Sequence, residues 1–337
     1  MTLPREIWLA ILGVGAAHDG GSVAIDAHVA LRSGTGPGLV ANAASLNGRD
    51  LNGMRMNGTL LDGMRMHGWT LGGLRLGELE LEGTRFRARP AGASRTLVGV
   101  ELVGSQLELE VEGEAWQLRI DDIDPDPADP TGEVFFYEVS VRGPGSFGWT
   151  SLCHDSTGAP TQAIPLAHRW DLETGARIDE PGAVTFACRG AALAKCVEWG
   201  YRPWAAAGSR SLADHHQACT RMVRADYCGD GRSHTFDGTP IDVFDRLGRA
   251  VQRASTLDAP GWGIEAEWGP DGAVCLGEQL RLAMVADAGL AHEVPPCLAA
   301  LLEVDGCGDL DAGRGGLVAD RYCDRWQDDP QACGVQP

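Results

Sequence analysis

The sequence predicts an α+β protein in three parts: a short β-solenoid-like pentad repeat, an antiparallel β region, and a disulfide-rich α+β domain with a nested-disulfide helical hairpin. Three observations carry that expectation. An apolar residue recurs at every fifth position from Leu46 to Phe86, the stretch from about 95 to 150 alternates apolar and polar residues, and every cysteine lies after residue 152. The expected segments are 1–17, a candidate signal peptide; 18–40, a linker; 41–90, the pentad repeat; 91–150, the antiparallel β region; and 151–337, the disulfide-rich domain.

The pentads come first. Leu46, Leu51, Met56, Leu61, Met66, Leu71, Leu76, Leu81 and Phe86 mark the period, and a glycine follows most of them two residues behind, from Gly48 to Gly83. A period of five matches neither the 3.6 of a helix nor the 2 of a strand. Only three residues separate successive Asn-Gly turns, which argues against paired strands. A solenoid with a turn at each glycine and the apolar residue inward satisfies the spacing. The pattern is similar to pentapeptide-repeat proteins, which form four-sided right-handed β-helices. It departs from them at the second inward position, where Met54, Met64, Trp69, Leu74 and Leu79 replace small residues. Nine repeats make about two coils stacked roughly 4.8 Å apart, so the segment is expected to pack on its neighbour.

The next region reads as antiparallel strands at Leu107–Val111, Trp116–Ile120 and Val134–Val141, each with one buried face. Between them, Asp121 to Glu133 offers six carboxylates. Hard cations want clustered oxygens, so Asp122, Asp124 and Asp126 are candidate calcium ligands, and calcium is the one cofactor the sequence suggests. Pro127 stands where a helix–loop–helix calcium loop needs glycine, which favours a solvated acidic hairpin loop.

The cysteine-rich part is organised by two short helices. Cys188 and Cys196 are eight residues apart, and Cys219 and Cys228 nine. On a helix each pair shares a face but lies roughly 12 Å apart along the axis, beyond the 7 Å or so that a disulfide allows. Antiparallel helices resolve this by nesting Cys196–Cys219 inside Cys188–Cys228. The other six, Cys153, Cys275, Cys297, Cys307, Cys323 and Cys333, are expected to pair in an order the sequence leaves open. Leu193, Cys196 and Val197 stripe the first helix, which stops at Gly200. Leu212, Cys219, Met222 and Val223 stripe the second, with Ser211 and Asp214 as a capping pair. His215 and His216 beside Cys219 raise zinc, but no two-plus-two ligand spacing accompanies them.

The string Arg224-Ala225-Asp226-Tyr227-Cys228-Gly229-Asp230-Gly231, preceded by His216-Gln217-Ala218-Cys219-Thr220-Arg221-Met222, resembles the signature of the bacterial ADYC-domain family. Phe186–Ala192 and Glu267–Ala273 are similar to its flanking patterns. The resemblance covers roughly residues 135 to 280. It implies a domain defined by its motif, and it brings no catalytic residue with it.

A formal charge of −19, from 47 acidic against 28 basic side chains, argues against nucleic acid or an anionic membrane surface as partner. Residues 1–17 have one arginine, the apolar run Ile7–Val14 and then Gly15-Ala16-Ala17. That reads as an export signal, with a buried first strand as the alternative. An even number of cysteines in one region agrees with an oxidising compartment, secreted or at the cell surface. No later stretch is apolar for long enough to span a bilayer.

The catalytic strings GxSxG, HExxH, GxxxxGK[ST] and GxGxxG after a strand are missing. The best enzymatic group is His216, Asp230 and His234, with His215, Asp226 and Tyr227 nearby, as a base and its orienting carboxylate. Trp199, Arg202 and Trp204 form a candidate binding surface by cation–π stacking, unless the tryptophans close the core. The expected function is an exported structural or binding module whose partner is a protein or glycan at the cell surface. A hydrolase using His216/Asp230/His234 and a calcium-dependent adhesin are the alternatives.

Overall fold

The computed structural model describes residues 39–42, 55–56, 59–60, 63–65, 68–111, 113–155, 157–236, 238–248, 251–255, 261–281, 296–302, 306–307, 314–325 and 329–333. Two antiparallel sheets and a helical hairpin between them account for most of these residues. The large sheet has the spatial order 64–65, 183–188, 163–167, 135–142, 114–125, 106–111, 70–71, 74–82, 85–90 and 97–98, with 150–151 paired on strand 135–142. The small sheet runs 39–42, 239–245, 318–323, 262–269, 272–276.

Alternation builds the large sheet. Leu118 and Ile120 face the core, and a bulge between Ile120 and Asp122 adds one residue, so that Ile123 rather than Asp122 is next inward. Val139, Val141 and Tyr137 answer from the partner strand, and Trp69, Phe86 and Phe186 complete the cluster. Phe86 and Tyr137 meet edge-on at 5.5 Å. The acidic stretch therefore divides. Asp121, Asp122 and Asp124 are strand residues, and only the part from Asp126 to Glu133 is a loop.

The pentads form hairpins among the described residues, and no closed solenoid is present there. Arg55–Met56 pairs with Thr59–Leu60, Thr70–Leu71 with Leu74–Arg75, and Leu74–Glu82 with Arg85–Pro90. Gly72 and Gly73 both take positive φ, 57° and 81°, which closes a two-residue turn between Leu71 and Leu74. From Met64 onward the short arms join a larger sheet, so that three residues between turns suffice, whereas 55–56 and 59–60 pair only with each other. Met64–Arg65, for example, pairs with Ala183–Val184.

Helix α1 (Ala192–Glu198) and helix α2 (Ala213–Arg224) form the hairpin, and Cys196–Cys219 joins them with Cα atoms 5.9 Å apart. α1 is buried on both sides. Leu193, Ala194 and Val197 pack with Ile164, Leu166 and Trp170 by the large sheet. Ala192 and Cys196 pack with α2 and with Ile241, Val243 and Trp268 of the small sheet. A further helix, α3 (Pro296–Leu302), follows.

The outer bridge differs from the expected one. Cys188 pairs with Cys153, and Cys228 with Cys297. The physical reason is that neither cysteine is helical: Cys188 ends the strand Ala183–Cys188, and Cys228 lies beyond the last helical residue, Arg224. Cys275–Cys307 and Cys323–Cys333 complete five bridges. The candidate signal 1–17 and most of the linker 18–40 lie outside the described residues. Leu39–Asn42, at the linker's end, is a strand paired with Thr239–Asp242. Among the described residues no helix is long and apolar enough to cross a membrane.

Candidate functional site

Many of the buried polar groups among the described residues gather at the end of α2. Ala225 adopts the left-handed region (φ 50°, ψ 42°) and is wholly buried. Its amide bonds the Met222 carbonyl and that of Asp226 bonds Arg221, the paired closure that ends a helix. Glycine usually holds this position; here the methyl group joins the apolar cluster around Met222 and Tyr227.

Asp226 is then aimed back under the helix. Its Oδ2 accepts from Arg221 Nη1 at 2.5 Å and from the Gly231 amide at 3.1 Å, and its Oδ1 accepts from the Asp230 amide at 3.1 Å. Burial pushes its pKa up, and the guanidinium groups of Arg221 and Arg224 oppose that push. The loop so pinned is tight. A Cβ on Gly229 would meet the Asp271 carbonyl oxygen at 1.9 Å, and one on Gly231 the Glu173 carbonyl oxygen at 1.9 Å, both at positive φ. Only glycine fits at either place.

Tyr227 points the other way. Its ring stacks on Trp268 at 5.2 Å, and its hydroxyl donates to Glu265 Oε1. Arg281 Nε donates to both Glu265 oxygens at 2.8 Å, and Nη2 to Asp320 Oδ2 at 3.1 Å and the Met222 carbonyl at 2.6 Å. Trp268 Nε1 donates to Asp320 Oδ1 at 2.7 Å. Glu265, Arg281 and Asp320 are all without solvent exposure. Burial, then the adjacent Glu265 charge, pushes the Asp320 carboxyl well above the usual carboxylate range, and the Arg281 guanidinium opposes that push. Cys228 closes the motif through its bridge to Cys297.

Beside this knot lies an open cleft of about 270 Å³, lined by Ala176, Arg177, Asp179, Ala213, Asp214, Gln217, Arg221, Pro270 and Asp271. Asp214, Gln217 and Arg221 come from one face of α2. The hairpin 169–178 and the turn at 270–271 form the other walls. Gln217 is fixed by Trp170 Nε1, which donates to it at 3.1 Å, and by its own donation to the Gly175 carbonyl at 2.9 Å.

The model of the ADYC domain matches residues 99–282, more than half of the chain, and takes in α2, the signature, Glu265 and Arg281, while Asp320 and Cys297 lie beyond it. The chain belongs to the ADYC-domain family. No curated protein and no solved structure matches it.

The ADYC signature is thus occupied residue by residue with internal bonds, and the other sequence candidates divide as follows. His216 is fully buried; its Nε2 lies 3.1 Å from the Leu193 carbonyl and its ring packs on Trp170. Burial lowers its pKa to about 4, so it is neutral. Asp230 is exposed and caps the Arg232 amide at 3.0 Å. The His234 ring is buried against Tyr227 at 5.9 Å. His215 stacks on Tyr201, whose hydroxyl donates to Asp245 at 2.7 Å. No bond joins His216, Asp230 and His234 to one another; each serves a different part of the fold.

Trp199 is in the core, 8 % exposed. Arg202 and Trp204 turn to the acidic loop instead of stacking. Arg202 Nη2 donates to Asp129 Oδ1 at 2.6 Å and Nη1 to Glu133 at 3.2 Å, and Trp204 Nε1 donates to Glu133 at 3.3 Å. Asp129 also accepts the amides of Thr131, Glu133 and Val134. Burial works against its ionisation, but these amides and Arg202 hold its pKa well below the usual range. Arg202 is thus the counter-charge of Asp129 in this loop. Of the calcium candidates, Asp122 caps the Ile123 amide, Asp124 accepts from Gln162 and Asp126 caps the Ala128 amide. Among the described residues no three His, Cys, Asp or Glu side chains are grouped to hold a metal ion.

Sequence reasoning missed Glu265, Arg281 and Asp320. No local signal marked them: in Ile264-Glu265-Ala266-Glu267-Trp268 alternation puts the apolar residues inward, and Glu265 is buried at a register shift between Ile264 and Ala266 that only strand pairing reveals.

Proposed function

We propose that this protein is an exported binding module that acts at the cell surface or in the medium and presents the cleft beside the ADYC signature to its ligand. The observation that carries the reading is the contrast between the signature and the cleft. The signature's polar groups are spent on holding α2 to the small sheet, whereas the cleft they shape is open and lined with Arg177, Asp214, Gln217 and Arg221. Five bridges and no free cysteine among the described residues support a site of action beyond the reducing cytoplasm. A hydrolase would need His216 to reach substrate, and a fully buried neutral ring bonded to a backbone carbonyl does not.

The test is to express the full chain in a bacterium, alkylate thiols before lysis and fractionate the cells. The protein should leave the cytoplasm with its cysteines unmodified. Retention in the cytoplasm with alkylated cysteines would overturn the proposal.

A further inference from the structure

We propose that the cleft beside α2 binds a short zwitterion of about dipeptide length, carboxylate at the floor and ammonium at the rim. This rests on the binding-module reading and names the ligand class of that site.

The floor is a buried guanidinium with one edge unspent. Arg221 is 3 % exposed. Its Nε donates to the Pro270 carbonyl at 3.1 Å and its Nη1 to Asp226 and the Thr174 carbonyl, while Nη2 has no hydrogen-bond partner among the described residues. Arg221 lines the cleft, and Nη2 is the edge of the guanidinium left accessible there. Two fixed nitrogens make the third a preorganised donor, and carboxylate is the acceptor that matches a guanidinium edge best. Arg177 adds a second cation from the hairpin wall, bridged to Asp179 at 2.9 Å.

The rim has the opposite sign. Asp214 and Asp271 are exposed, and the side chain of Asp179 is 77 % exposed. An anion alone would meet these carboxylates on entry, and a cation alone would meet Arg221 at the bottom. A molecule carrying both charges satisfies both. Asp214 and Arg221 are seven residues apart on one helix, about 10 Å along its axis. A ligand that meets the rim with its ammonium and Arg221 with its carboxylate bridges part of that rise; one extended residue spans about 3.5 Å and two about 7 Å, which favours the dipeptide over a single amino acid. The volume of about 270 Å³ is near the lower end for small-molecule sites, in keeping with so small a ligand.

The experiment is titration calorimetry on the oxidised full chain with L-alanyl-L-alanine, its N-acetyl form, its C-terminal amide and free L-alanine. The unblocked dipeptide should bind at least about ten-fold more tightly than each of the other three. Asp214→Asn with Asp271→Asn should weaken the unblocked dipeptide about five-fold or more, with the melting temperature unchanged. Arg177→Gln tests the floor without disturbing the Arg221–Asp226 pair and should weaken the N-acetyl form as well. Equal affinity for blocked and unblocked dipeptide, or no binding of the unblocked form at about 10 mM, overturns the proposal. An exported, oxidised protein that fails this titration loses the zwitterion and keeps the module reading. A reduced cytoplasmic protein loses the module reading whatever it binds.

Discussion

Tyr227 and His216 both stand in the same twenty-residue stretch, and both are ionisable groups kept neutral by burial. The Tyr227 phenol is held far above its ordinary pKa, by burial first and then by the Glu265 charge it bonds. Replacing it with phenylalanine keeps the stacking on Trp268 and removes one donor from a fully buried carboxylate. Tyr227→Phe should therefore cost about 1–3 kcal/mol in guanidinium unfolding with the bridges intact. His216 makes a pH prediction. Its folded pKa of about 4 lies below the ordinary 6.5, so the unfolded chain takes up the proton first. Its contribution is fully present above pH 6.5 and declines by about 3 kcal/mol as the pH falls to 4. Below that both states are protonated and the loss stops. Subtracting the stability profile of His216→Gln from that of the parent should isolate this one-proton slope between pH 6.5 and 4. A flat difference would mean that the ring is charged or exposed in the native state.

At the scale of elements, the hairpin α1–α2 holds two sheets together, and its bridges act on different joints. Cys228–Cys297 spans 69 residues, so its loss releases a long loop in the unfolded chain. Cys228→Ser with Cys297→Ser should cost about 4 kcal/mol on the loop-entropy scale, read from denaturant midpoints. The acidic loop makes a second prediction. Arg202 is the internal counter-charge of Asp129, whose side chain is 1 % exposed. Arg202→Met should destabilise by about 1–3 kcal/mol. Chelator should leave the melting temperature of the parent where it is, and a fall on chelation would restore the calcium reading.

What the sequence disclosed follows the range of each interaction. Cys196–Cys219 was legible because both residues lie on inward helical stripes that face each other. Cys188 was misplaced because a strand ends there, and a spacing of eight is silent about where a helix starts. The pentads misled because some of their short strands pair with distant ones, as strand 183–188 receives Met64 and Arg65, and that pairing is not local. Strands 106–142 were plain from alternation, which is local. Arg281 was invisible because its partners Glu265 and Asp320 are brought in by pairing of the strands 262–269 and 318–323.

Over the whole molecule, the account joins a sulfur-clamped, strongly acidic protein to a signature that builds rather than reacts. The Ala225-Asp226-Tyr227-Cys228 run contributes a left-handed turn, a buried carboxyl paired with Arg221, a phenol on the buried Glu265–Arg281–Asp320 set and one half of a bridge. That is a joint, and the cleft forms against it. The most direct measurement is a non-reducing peptide map of the native protein by mass spectrometry, with thiol counting. The account predicts Cys228 linked to Cys297, Cys188 to Cys153, Cys196 to Cys219, and no free thiol. A Cys188–Cys228 peptide, or Cys228 recovered as a thiol, would contradict it.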